Sequence, residues 1–588
     1  MTQITFDDAS RFMMQATLGA HREHIEDLAR QGVEPWLENQ LSGVPAQDTY
    51  LEQTAQIWQY FRTHLVRTHT ESAINGEGNN PALPYTWYWR MGWWQQTLKA
   101  DPAQQLRQRV AQALSELLVI SDNSSLELDA LGLASYYDLL YNGAFNSYAD
   151  LLYAVSMHPC MGVYLSHMNN RKADPAQGIH PDENYAREVM QLFSIGLYAL
   201  NPDGSRKVDA RGNPIPSYDN RDIKQLARVF TGLRAANYRY EWSTSFWDPS
   251  YNGYPVGFED GVDKTYKTVP FVEMTAPMQV DENYHDRGAK QLLKGRINLP
   301  AGQDGAREIR AAIEALVAHP NTAPFVARHL INQLVTSNPS PAYLRAVAKR
   351  FGKRGDLGAA VREVLLYPRR NGVSARTFSG ARKVNGRTVQ SEKLKSPLLR
   401  SCQLLRAFKA GNRSGKTWVI GDDIREPLQQ HVLSSPTVFN FYKPDFAPHG
   451  PLERADMRAP EFELMTSATS ISYVNTMYYW FFGEYYPAVS TRIDPVLKNV
   501  AQMDVEALRA FDDDKLRLNF SREIALAEQG QFEQLIAQMS SLLCGRADPP
   551  HKDKILHAFR NYRDNPEWVV QTVAFMLAIS AEFTVQEV

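Results

Sequence analysis

Residues 183–194 read ENYAREVMQLFS, and at ~100° per residue on a helical wheel they split into two faces. Glu183, Asn184, Arg187, Glu188, Gln191 and Ser194 share one arc, while Tyr185, Ala186, Val189, Met190, Leu192 and Phe193 fill the other. A polar arc with two carboxylates, two amides and a guanidinium but no lysine suits the wall of a polar cleft. There Glu183 or Glu188 can move a proton while Asn184 and Arg187 bind substrate oxygens. The same spacing also makes an ordinary surface helix, capped by Asp182 and carrying a Glu183–Arg187 pair worth about 0.3 to 0.5 kcal/mol. His285-Asp286 is the second pair of interest. A neutral imidazole binds a metal or moves a proton near neutral pH, and an adjacent carboxylate serves as co-ligand or base; the plain alternative is a histidine bonded to loop backbone. If the pair meets Glu188, then His285, Asp286 and Glu188 make a divalent-metal site. If it meets Glu183 or Glu188 without a metal, two acids about 5 to 9.5 Å apart are the apparatus of glycoside cleavage, with Glu183, Glu188 and Asp286 as the catalytic candidates. A third group, Trp242, Trp247, Tyr251 and Tyr254, alternates with Asp248, Asn252, Glu259 and Asp260. Rings that stack on sugars beside groups that bond hydroxyls suit substrate binding by Trp242, Trp247 and Tyr251.

Stepping outward, the elements that must position these residues are helices. Apolar residues recur at helical spacing from Phe12 to Leu28, Leu106 to Ile120, Glu183 to Leu200, Ile309 to Val335 and Leu398 to Phe408. TWYWRMGWW, with Trp87, Tyr88, Trp89, Trp93 and Trp94, also has helical spacing and reads as core. His158-Pro159 and His319-Pro320 read as helix boundaries, because proline disfavours helical geometry in the residue before it. Strand signals are few. The best is ALNPDGSRKVDARGNPIPSY, where Asp203-Gly204 and Gly212-Asn213 are turn dipeptides. Residues 236–285 read as a long ordered loop, and 371–393 as a polar surface loop between helices. The fold class expected is mainly α, a large multi-helix globular protein with minor β-hairpins and long ordered loops. Residues 1–470 form its main helical domain, with the aromatic-rich loop 236–285 inserted, and 471–588 a C-terminal helical region packing on it.

Composition narrows the function classes. Hydrophobic residues make up 44% and charged residues 22% of the 588, so the chain should fold throughout. Lys and Arg total 63 against 65 Asp and Glu, which leaves no field to hold nucleic acid. Cys160, Cys402 and Cys544 are too far apart for a zinc knuckle or disulfide framework. The longest apolar runs, such as Val573 to Ile579, fall short of the ~20 residues of a membrane-spanning helix, so an integral membrane protein is not expected. MTQITFDDAS, the first ten residues, lacks the pattern of a secretory signal. The expectation is a chain that stays inside or one from which a signal has been removed. No P-loop, dinucleotide fingerprint, GxSxG elbow or HExxH motif appears, which demotes nucleotide-driven and zincin-type chemistry.

Several segments together carry a family likeness: LRQRVAQALSELLVIS (106–121), HPCMGVYLSHMNN (158–170), PDENYAREVMQLFSIGL (181–197), ARVFTG (227–232), YHDRGAKQLL (284–293), HPNTAPFVARHLINQLVTSNPSPAY (319–343), EKLKSPLLR (392–400) and SPTVFNFYKPDFAPHG (435–450). Over roughly Arg11 to Ser470 the chain resembles the bacterial family called domain of unknown function 1800. Leu233 stands where many relatives have Trp, and Gln191 and Phe193 where many have Glu and His. A metal site that needs those two side chains is therefore weakened. The resemblance implies a periplasmic or extracellular location and, as partner, a sulfatase-like protein of the family called domain of unknown function 1501, often encoded alongside. The expected function is an exported or envelope-associated protein with a polar cleft, acting as an enzyme on an extracellular polysaccharide. Two alternatives stand beside it: a non-catalytic binding or assembly partner of the sulfatase-like protein, and a metal-dependent oxidoreductase.

Overall fold

The computed structural model describes residues 4–46, 48–61, 85–127, 129–236, 238–239, 271–370, 382–384, 387–389, 392–418, 421–483, 488–489 and 514–586. Trp242, Trp247, Tyr251 and Tyr254 lie outside these residues, as does most of the stretch 371–393. Helices dominate, and each strand pair among the described residues is a two-stranded antiparallel ladder.

The periodic segments are helical, but the longer ones are broken. Phe12 to Leu28 is covered by two helices, Phe6–Ala16 and Arg22–Gln31, and Ile309 to Val335 by Gly305–Val317 and Thr322–Leu334. The second break is the His319-Pro320 step, where His319 Nδ1 accepts from the Asn321 amide at 3.2 Å. His158 does the same for helix Pro159–Tyr164, its ring accepting from the Cys160 amide at 3.2 Å while Pro159 takes the first helical position. Both His-Pro steps are thus helix starts. The expected hairpin forms between helices, as a three-segment meander. Leu200 bridges Arg206 and Val208 bridges Pro214, with Gly204 and Gly212 at positive φ in the two turns. A hairpin that periodicity did not signal pairs Lys290–Leu292 with Ile297–Leu299.

Helix Gln105–Ser115 runs through the middle of the core with all its residues buried, although its sequence QLRQRVAQALS is half polar. Its three long polar side chains at 107–109 each reach a backbone group of a neighbouring helix or loop, while Gln105 meets His24 Nδ1 and Gln112 meets Glu116. Arg107 donates to Gly43 O at 2.6 Å, Gln108 to Gln96 O at 3.3 Å, and Arg109 to Gln333 O. Buried donors matched in this way avoid the desolvation cost that would otherwise exclude them. Beside it, helix Thr86–Lys99 buries Trp87, Tyr88, Trp89, Trp93 and Trp94 as expected for core. Helix Tyr50–Tyr60 packs along it so closely that a β-carbon at Gly92 would stand 2.4 Å from Thr54 Oγ1.

One contiguous apolar core runs from Ala9 to Phe583. Helix Ser467–Phe482 spans residue 470, where a boundary was expected. Helix Phe6–Ala16 packs on Phe532–Cys544, and the last strand, Val585–Gln586, pairs with Lys393–Leu394. Gln586 also donates to Leu334 O and Val335 O at 3.0 and 3.1 Å. Cys160, Cys402 and Cys544 are buried free thiols. No helix among the described residues is long and apolar enough to cross a membrane.

Candidate functional site

The site helix is Asn184–Gln191, shorter than the twelve-residue stretch read from the sequence. Its start is fixed by Asp182, whose Oδ1 accepts from the Asn184 amide at 2.7 Å and whose Oδ2 accepts from Ser166 Oγ at 2.8 Å. Its end is a tight turn in which Gly196, at φ 68°, returns its N–H to Met190 O at 2.9 Å. The apolar arc is inside: Tyr185, Ala186, Val189, Met190 and Phe193 are buried, Leu192 only partly. Tyr185 stacks on His167 with centroids 3.9 Å apart and shares a hydrogen bond with Ser156 Oγ at 2.6 Å. These contacts fix the helix about its axis, and so the direction of its polar arc.

On that arc Arg187 pairs with Glu183 at 3.6 Å, and Asn184 is exposed. Glu188 behaves differently. It is 7% exposed, and its Oε2 is buried without a hydrogen-bond partner. Burial raises its carboxyl above the ordinary carboxylate range, with the Arg187 charge opposing. Two phenols feel the same group. Tyr164 is pushed up to about 12, chiefly by burial, with Ser435 acting the other way and Glu188 adding to the rise. Tyr218 is raised by burial and by Glu188, and donates to Gln191 Oε1 at 3.2 Å. Glu188 is thus coupled by charge to Arg187, Tyr164 and Tyr218, and Tyr164 also bonds Ser435.

His285 and Asp286 have other partners. Asp286 receives a two-pronged bond from Arg228, at 2.8 and 2.9 Å, and another from the Gly288 amide at 2.9 Å. Although burial opposes it, the Arg228 bond and charge with the Gly288 N–H hold the Asp286 carboxyl below its ordinary range. His285 is fully buried, with Nδ1 2.9 Å from Thr231 O. Its Nε2 lies 3.1 Å from Glu308 Oε2 but out of hydrogen-bond alignment, and Lys290 Nζ claims the same oxygen at 2.6 Å. The close packing here depends on Gly232, at φ 83°, where a β-carbon would stand 2.7 Å from Asp281 O and 3.0 Å from His285 N. A lysine on the carboxylate that faces His285 Nε2, and a ring nitrogen spent on backbone, do not suit a cation site. Among the described residues no three His, Cys, Asp or Glu side chains converge as a metal set, and His285, Asp286 and Glu188 are not brought together as one. The His285-Asp286 pair is knit to the helix 220–229 region, and no direct contact joins it to Glu188.

Sequence reasoning missed the group on the far side of Ser435. Glu116, at the end of the central helix, accepts from five donors. Gln112 and Gln430 reach Oε1 at 2.6 and 3.4 Å, and Tyr442, Gln333 and Asn440 reach Oε2 at 2.5, 2.9 and 3.2 Å. Arg109 bonds Gln112 Oε1 behind it, and Lys393 pairs with Glu461 nearby, all of these charges being buried. Two cations and two anions thus balance in the interior. The available signal was that 106–121, 319–343 and 435–450 carried the family likeness together.

The family model described as Protein of unknown function (DUF1800) matches residues 11–585. No curated protein and no solved structure matches the chain.

Proposed function

Because the chain belongs to the DUF1800 family, whose description carries no activity, we propose from its own side chains that it is an enzyme acting on an extracellular polysaccharide. It would be exported or envelope-associated, as the family likeness suggests. The observation that carries this reading is Glu188, a buried carboxyl with one oxygen unmet and its proton favoured by burial. Such a group is a proton donor for a leaving sugar oxygen. Tyr164, Tyr218, Arg187 and Asn184 supply phenol, guanidinium and amide groups for hydroxyls around it. The test is release of reducing ends from a panel of polysaccharides by the parent and by Glu188→Gln. Loss of a general acid should lower turnover by about 10²- to 10⁴-fold with binding retained. Equal activity in the two proteins, or no polysaccharide bound or cleaved by either, would sink the proposal.

One observation favours a second reading, assembly with a sulfatase-like protein. Helix Ser467–Phe482 has no charged residue in sixteen, yet exposes Ile471, Val474, Tyr478 and Tyr479. Apolar surface gathered on one helix marks interaction sites. Co-purification with the sulfatase-like protein that Val474→Glu abolishes would support this reading, and co-purification unaffected by Val474→Glu, or none at all, would remove it.

A further inference from the structure

One place in the molecule gathers cations without acids to match them. In the meander that follows the site helix, Gly204 O accepts from Arg328 Nη2 at 2.9 Å. A β-carbon at Gly204 would stand 2.5 Å from that guanidinium, so the glycine lets Arg328 lie against the turn. Two residues on, Arg206 is exposed, its guanidinium 4.7 Å from the centre of the Tyr198 ring. Arg458 comes from a later loop and is half-buried. Its backbone is clamped by Asn338, whose amide donates to Arg458 O at 2.7 Å and whose Oδ1 accepts from the Arg458 N–H at 2.8 Å. Burial first, then the charges of Arg458 and Arg206, push Arg328 down to about 10, with Asp203 acting the other way. Arg328 therefore stays charged at neutral pH, and it is half-buried rather than sealed from solvent.

Asp203 does not neutralise the group. Its Oδ1 accepts from the Ser205 amide and hydroxyl at 3.0 and 2.7 Å, and its Oδ2 pairs with Arg345 at 3.1 Å. Among the described residues no carboxylate pairs with Arg206, Arg328 or Arg458. Fixed guanidiniums that repel one another are relieved by a shared counter-ion, and the planar fork of arginine matches the oxygens of a carboxylate, sulfate or phosphate. Position says what carries that oxyanion. Phe325 sits one turn before Arg328 on helix Thr322–Leu334, and its ring is 3.2 Å from where a β-carbon of Gly196 would lie. Gly196 closes the turn that ends the helix bearing Glu188. The cations thus border the candidate site, within reach of a chain polymer laid along it.

We propose that Arg206, Arg328 and Arg458 form a subsite for an acidic substituent, a carboxylate or a sulfate ester, of the polysaccharide. This rests on the polysaccharide reading above and narrows it to an acidic polymer. The experiment is calorimetric titration of the full chain with oligogalacturonate, a sulfated galactan oligosaccharide, a neutral malto-oligosaccharide and sodium sulfate, at one ionic strength. Parent, Arg328→Gln and Arg458→Gln are compared with Arg211→Gln, which removes an exposed cation from the same meander. The expected result is binding of an acidic oligosaccharide by the parent and by Arg211→Gln, at least tenfold weaker in Arg328→Gln and Arg458→Gln. Should Arg328→Gln fail to fold, Arg458→Gln decides. Equal binding in all four proteins, or none, would overturn the subsite. Sulfate bound through these arginines with no acidic oligosaccharide bound would leave a free-anion site and overturn the assignment to a polymer. Acidic chains bound through these arginines, while Glu188→Gln leaves cleavage unchanged, would keep the subsite and remove the role given to Glu188. Cleavage lost in Glu188→Gln, with neutral and acidic chains bound alike, would remove the subsite alone.

Discussion

At the scale of single residues, two acids that look alike in the sequence do opposite jobs. Asp286 is bridged twice by Arg228 and is held below its ordinary range. Its contribution to stability is therefore present above the ordinary value of 3.8 and lost as pH falls through the lowered folded value. Asp286→Asn should cost about 1.5 to 3 kcal/mol at neutral pH, the worth of charge-assisted bonds, read as a shift in a denaturant midpoint. Glu188 has the reverse sign. Because burial raises it, the folded chain keeps a proton that the unfolded chain has released, and the penalty grows as pH rises from the ordinary 4.5 through the raised folded value. Glu188→Gln should melt at or above the parent temperature at neutral pH, with the difference closing below pH 4.5. A variant that instead lost about 3 to 5 kcal/mol would make Glu188 the partner of a buried cation, and its role structural.

Elements show why some of this was legible in the sequence and some was not. The amphipathic split of 183–194 put Tyr185, Val189, Leu192 and Phe193 inside, and all but Leu192 are buried, because a 3.6-residue period maps directly onto one buried face. The period could not give the helix end, since the turn at Gly196 is closed by packing against later chain. Leu192 falls past that end and is only partly buried, so Leu192→Ala should cost less than Met190→Ala, for which about 2 to 5 kcal/mol is expected. Gly232 ends the ARVFTG stretch, where no turn signal or periodicity calls for a glycine. The structure supplies one, a positive φ with Asp281 and His285 pressed against it. Gly232→Ala should destabilise by about 1 to 3 kcal/mol and loosen the 281–286 turn, visible as faster amide exchange there. The Glu116 group was illegible for a different reason. Four of its five donors, Gln333, Gln430, Asn440 and Tyr442, come from more than two hundred residues away, and no local pattern reports a meeting of that kind.

For the whole molecule, the single core from Ala9 to Phe583 makes the two ends of the chain part of one interior. Thermal unfolding followed by circular dichroism and by tryptophan fluorescence should give coincident single transitions, because the regions either side of residue 470 share that core. Separate transitions would show two independent units. The last strand closes the assembly, since Val585–Gln586 pairs with Lys393–Leu394 and Gln586 bonds the end of helix Thr322–Leu334. This bears on timing. A nascent chain cannot complete this interior until Val585 and Gln586 have left the ribosome, and contacts so distant in sequence are slow to form. Such a polypeptide stays threadable for as long as it is being made.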